Sequence, residues 1–527
     1  MKPIFAILVF LCLFEVSNAQ NRTVSIYNSD STIVGTGVMN NNRMDGLWKF
    51  TDTKTDRLIQ QGLFEQGKKD GTWTVYHPNN HIKIEAGYKD NQLNGAYREF
   101  DAEGALILES IYKDSVRIGS HRQYYGKAGR PDYINPKQLM IEGNYANGLM
   151  HGEWLSYFEN GQLGVKQTFV EGVLEGPYLE YSPYGQLVVE TTYKNNKTHG
   201  LFKRYSLGNM LQEQGEYDLG KKVGKWIKYF PDTNILESEA FYDNDGNKTG
   251  VWNYYYENRR VARIEKYKND IAVGTWEEFF PNKSLAKRKN YELGVPVGEY
   301  VEYHNNGKIS VVGQYKNGVK TGLWKSFSPD GMLYSIGEYH LDVKSGNWKY
   351  FNKIGVLVAE GEYKLGSEND QWVYYYDGGQ LKSVGSYFLG LEDGVWGLFY
   401  DNKQLTQEET WDHGRLMEVS EYYNYDGSKT LDSGTLQSGN GTRITYYINE
   451  TKESEGQYKS GQASGEWKYY HDNGRLASAG QMVDGKKEGP WTYYGRNGAV
   501  SDLVNYKDDE IVQEENPVLD LMFRNFN

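Results

Sequence analysis

The sequence predicts an all-β protein, an elongated array of antiparallel β-hairpin repeats laid side by side in a single continuous twisted or curved sheet. Three observations carry this expectation. A Gly-x-aromatic mark returns about every 24 residues along most of the chain. The composition is rich in Tyr (46) and Gly (60) and poor in Pro (12) over 527 residues, and Tyr and Trp favour strands while Gly marks turns. No window holds a sustained helical period.

The anchor of the unit is Gly-x-Trp/Tyr/Phe with a second aromatic three residues on. It opens at Gly46-Leu-Trp48 and recurs as Gly71, Trp73, Tyr76 and as Gly152, Trp154, Tyr157. Further copies are Gly224, Trp226, Tyr229, then Gly322, Trp324, Phe327, then Gly465, Trp467, Tyr470. Between Gly152 and Gly346 the step is 24 residues except for one of 26. Degenerate copies at Asp370 (with Trp372 and Tyr375) and around Glu418 (with Tyr423) keep the register, so the array is expected to be continuous, with about nineteen units.

Within a unit, with the anchor Gly as zero, aromatics at +2 and +5 lie on the first strand. A turn follows, often with Gly at +9, as in Asn160-Gly161 and Asp330-Gly331; such pairs accept the positive φ of tight hairpins. The second strand carries an apolar residue at +11, often Gly at +15, and Tyr at +17. Period-two alternation puts +11, +13, +15 and +17 on one face. The +15 Gly is expected to make room for a neighbouring ring.

The pattern Gly-x-Trp-x-x-Tyr-x-x-x-Gly-x-Leu resembles the MORN repeat family, in particular its bacterial variant in YwqK-type proteins known as antitoxin components. Trp154, Tyr157, Gly161 and Leu163 carry the resemblance in one unit, and Trp324, Phe327, Gly331 and Leu333 in another. It covers nearly everything after residue 40. It implies consecutive antiparallel hairpins that serve as a scaffold or interaction module, with enzymatic members owing their activity to a separate domain. No stretch of this chain is left over to hold one.

The remaining segments are read from composition. Lys2, the apolar Ile4–Phe14 and Ser17-Asn18-Ala19 predict a signal peptide over 1–19, cleaved after Ala19. Residues 20–40 form a leader or first strand, 41–510 the repeats, and 511–527 a C-terminal cap around Val518, Leu519, Leu521, Met522 and Phe523. The sole cysteine, Cys12, falls in the apolar run, so the mature chain has no disulfide. That favours a bacterial periplasm, outer envelope or secreted location over a eukaryotic one.

Chemistry is sparse. His77 and His81 flank the turn Pro78-Asn79-Asn80 and so do not share a helix face. Asp243 to Asn247 lacks the closing Glu of a calcium loop. Phosphate-loop and nucleophile-elbow patterns are missing. The expectation is no enzyme, no cofactor, no metal and no integral membrane segment. A net charge of -12 argues against nucleic acid. Protein binding is the first reading. Glycan binding by an aromatic ladder and an antitoxin- or immunity-type binding role are the alternatives. The step of 33 residues from Gly119 to Gly152 marks an insertion, and Arg130, Asp132 and Tyr133 within it are the candidate binding loop.

Overall fold

In a computed structural model, the structure describes residues 22–127, 135 and 137–512. Every regular element among them is a strand. Residues 1–19, Arg130, Asp132 and Tyr133, and most of the expected cap lie outside the described residues. The chain divides into two compact units, Met1–Ile271 and Ala272–Asn527. In the first, strands from Arg22–Tyr27 to Val261–Lys268 each pair antiparallel with the next in sequence. In the second, the same succession runs from Gly274–Phe279 to Arg415–Val419.

The hairpin Val319–Phe327 and Leu333–His340 shows how the sequence makes the unit. Trp324 lies opposite Gly337 and Ser326 opposite Ser335, but Phe327 lies opposite Leu333. Tyr334 is therefore the extra residue of a β-bulge. The bulge changes the parity of the strand, so the +11 residue sides with the +5 ring on the reverse face. Only +13, +15 and +17 stay with the +2 ring, which corrects the four-residue stripe read from period-two alternation.

A second irregularity joins one hairpin to the next. Ile336 pairs with Lys349 and Glu338 with Ser345, so two residues of one strand span four of its neighbour. The anchor Gly346 sits in this bulge at φ 63°, which is why glycine stands there. The bulge frees the carbonyl of Glu338, and the Trp348 indole Nε1 donates to it at 3.1 Å. In the degenerate copy, Asp370 holds the same turn at φ 53°; a short polar side chain tolerates it.

Two interruptions differ in kind. In the first unit, Tyr124 pairs directly with Leu139, and the Tyr125 N–H donates to the Gln138 carbonyl at 2.9 Å. The insertion is thus an excursion from an otherwise unbroken ladder. In the second unit the ladder pauses after Val419. A two-stranded piece, Tyr422–Tyr423 with Thr430–Leu431, precedes seven strands from Gly441–Tyr446 to Glu510–Ile511. The continuity expected through Glu418 is not kept there. Glu418 is not among the residues of positive φ, its strand pairs through a shorter bulge, with Thr410 opposite Glu418 and Trp411 opposite Leu416, and Ser420 stands where the +2 ring would be, so this copy lacks the ring that seats a hairpin.

Candidate functional site

The anchor rings build the interior. Trp73, Trp154, Trp226, Trp324 and Trp467 are 2–5% exposed. Each +2 ring covers the +15 position of the preceding unit: a Cβ on Gly313 or Gly361 would overlap the indole of Trp324 or Trp372. Tyr at +17 fills the space between successive Trp rings edge to face, as Tyr339–Trp348 at 5.3 Å, Tyr363–Trp372 at 5.1 Å and Tyr387–Trp396 at 5.0 Å, the arrangement aromatic quadrupoles favour. Trp73, Trp154, Trp226, Trp324 and Trp467 present no open face to a sugar, whereas Trp276 in the same slot is half-buried.

The +5 rings Tyr76, Tyr157, Tyr229, Phe327 and Tyr470 are half-buried on the reverse face. In several units a tyrosine hydroxyl at this position reaches back to the preceding unit: Tyr157 donates to Glu142 at 2.8 Å and Tyr375 to Glu360 at 2.9 Å. Burial, helped by Glu142, pushes the Tyr157 hydroxyl up to about 12. Tyr76 instead accepts from Gln61 at 2.8 Å. Hydrogen bonds of this kind tie unit to unit.

A lysine two residues before the anchor lies over the spine in several units. The Nζ of Lys69 is 3.9 Å from the Trp73 ring centre, Lys222 is 3.8 Å from Trp226, and Lys344 is 4.6 Å from Trp348. These are cation–π contacts, and burial lowers the Lys69 ammonium to about 8. The residue was visible in the sequence but carried no meaning without the bulge that turns it over the ring.

Two polar pairs occupy the register slots of Gly and Trp. Ser110 stands at +15 and His121 at +2, and the Ser110 Oγ and His121 Nδ1 are 2.5 Å apart in the interior. The pair looks like a nucleophile and its base, but both residues are buried, at 1% and 6% exposure, so no substrate reaches them. Burial, with the Arg117 cation second, lowers the His121 imidazole to about 4. Since the folded value lies below the unfolded one, near 6.5, the unfolded chain binds the extra proton between those two pH values. Stability contributed here is complete above pH ~6.5 and is lost as pH falls towards 4, by at most about 3 kcal/mol. Urea unfolding of the full chain at pH 7 and pH 4.5 should show this loss, and His121→Phe should diminish it. The second pair, Glu409 and Arg443, lies at the pause in the second unit and forms an ion pair in which Glu409 is buried and Arg443 mostly so.

Among the described residues, Asp393, Asp412 and His413 bring one ligand atom each within 4.8 Å of one another. All are solvent-accessible, and the 2.5 Å contact to Asp412 already occupies His413 Nδ1. That hydrogen bond raises the His413 pKa, with Asp393 adding to it. On the reverse face of the first unit, a shallow recess of 290 Å³ is lined by residues that include Thr72, Gly87, Ala96 and Arg98.

Bulged hairpins threaded by an internal aromatic spine define a hairpin-repeat protein. The sequence profile of the MORN repeat variant matches residues 69–90, 150–171, 174–195, 296–317, 320–340 and 463–484, and these six segments are MORN-variant repeats. No curated protein matches it. Among solved structures, the chain is similar to the crystal structures of TcdB2-TccC3-TEV and TcdB2-TccC3-Cdc42, each at 10% identity over 92% of this chain, with TM-scores of 0.13 and 0.12. The chain spans 30% of each of those chains.

Proposed function

We propose that this chain is a non-enzymatic scaffold that binds a protein partner in the bacterial cell envelope or outside the cell. The observation that carries this reading is the burial of the +2 Trp rings. They are consumed by the fold, and what remains to solvent within each unit is a surface of turns and strand faces. Extended repeat surfaces of this kind suit protein recognition. Lys2, Ile4–Phe14 and Ser17-Asn18-Ala19 support export, and the mass of the mature protein should correspond to cleavage after Ala19. Affinity purification of the tagged full chain from an envelope extract, after cross-linking in intact cells, is expected to recover a partner in constant ratio. Recovery of no protein above an untagged control would sink the reading. With the spine closed to sugars, a panel of envelope polysaccharides should leave the tryptophan fluorescence unchanged.

A further inference from the structure

The turns that join one unit to the next have two residues at positive φ. The first is usually one that tolerates it, as Asn147, Asn195, Asn317 and Asp484 do. In the second unit the same slot holds Leu293, Leu341, Leu365 and Leu389, at φ 48–53°. A leucine there crowds its Cβ against the backbone, and Asn-Gly is the sequence this turn prefers. Burial does not offset the strain: Leu293, Leu341 and Leu365 are 78%, 64% and 80% exposed, and Leu389 is 43% exposed. A local rule broken repeatedly without structural return marks a functional position.

The leucines are not isolated. Val343 and Leu391, two residues beyond Leu341 and Leu389, are also exposed. Gly366 of one turn packs beside Val343 of the turn before, so consecutive turns form a ridge. Two strands per unit set the turns about 10 Å apart. Residues seven apart on an α-helix repeat at ~10.5 Å along one face. Charge points the same way. Lys364, beside Leu365, and Lys316, beside the intervening turn at Asn317, are exposed, whereas the same position beside Leu293 holds the exposed Glu292, so the positive charge flanks the stretch from Asn317 to Leu365. Asp342, within it, is engaged by the Lys320 backbone N–H at 2.7 Å.

We propose that Leu341, Leu365 and Leu389, extended by Leu293, are a docking ridge for an amphipathic α-helix of a partner protein, with an apolar residue at every seventh position and carboxylates flanking them. The proposal rests on the scaffold reading only in taking the partner to be a protein. The test uses the full chain and a fluorescent synthetic helix of leucine heptads flanked by glutamates, with fluorescence anisotropy as the readout. Wild type should bind it. The triple variant Leu341→Asn, Leu365→Asn, Leu389→Asn should bind about tenfold more weakly or worse, and its Tm should rise, because Asn suits the turn. A control helix with leucines at every fifth position should not bind, and Lys316→Glu with Lys364→Glu should weaken the glutamate-flanked helix.

Equal binding by the triple variant, or by the control helix, overturns the proposal. So does a fall in Tm, which would make the leucines structural. Leucine-dependent co-sedimentation with phosphatidylglycerol vesicles without helix binding would reassign the ridge to lipid. Leucine-dependent dimerisation in sedimentation would reassign it to a second copy. Recovery of the same envelope partner by wild type and triple variant would keep the scaffold reading and reject the ridge.

Discussion

Trp372→Ala should cost about 3–5 kcal/mol, the range for truncating a buried aromatic side chain. The ring is 2% exposed and touches Tyr363 at 5.1 Å and Tyr387 at 6.3 Å, while its Nε1 donates to the Glu362 carbonyl at 2.9 Å. Removal opens a cavity, separates two rungs of the spine and leaves a bulge carbonyl without its donor. In an array whose units contact chiefly their neighbours, the loss should appear as local opening before global unfolding. Hydrogen exchange should therefore accelerate most in Leu357–Lys364, Ser367–Tyr375 and Leu381–Phe388. The companion substitution Gly361→Val should cost about 1–3 kcal/mol by overpacking against the same ring. Combined with Trp372→Ala it should cost less than the sum, because the ring it strikes is gone. A loss below about 0.5 kcal/mol for Trp372→Ala would mean that the ring is surface.

The same contact explains what the sequence could reveal and what it could not. Gly, Trp and Tyr recur at fixed offsets because one residue type fits each slot: glycine at the anchor bulge, glycine beneath the indole, an edge-on ring beside it. Periodicity therefore exposes the unit and its core. The bulge at Tyr334 is hidden, since nothing in an alternating strand announces an extra residue; it emerges from the pairing of Phe327 with Leu333. The turn leucines were equally invisible. Leu365-Gly366 reads as an ordinary apolar residue before a turn glycine until its φ of 53° and its exposure are known together. Arg130, Asp132 and Tyr133 drew attention because they break the register, whereas Ser110 and His121 keep the register and change only the chemistry.

Arg443→Ala should be among the most damaging single changes, at about 3–5 kcal/mol, because it leaves the Glu409 carboxylate buried without its cation. Glu409 is 6% exposed and also accepts from the Trp411 indole at 3.0 Å. Glu409 occupies the +15 slot after Gly394, and Arg443 the +2 slot after Gly441. Although 34 residues separate them, they meet as Gly385 and Trp396 meet across 11. The ion pair thus carries the spine across the pause at Glu418, with charge attraction in place of a ring over a glycine. Desolvation makes such pairs poor sources of net stability, and well-packed apolar replacements of them are often neutral or stabilising by about 1–4 kcal/mol. The double change Glu409→Gly, Arg443→Trp restores the residues found in the regular units, so it should recover most of what Arg443→Ala loses. Urea unfolding, with exchange followed in Leu405–Asp412 and Gly441–Tyr446, separates the outcomes. If the double variant is as unstable as Arg443→Ala, the surroundings of the pause are built for charge, and the two slots are equivalent in register but not in packing.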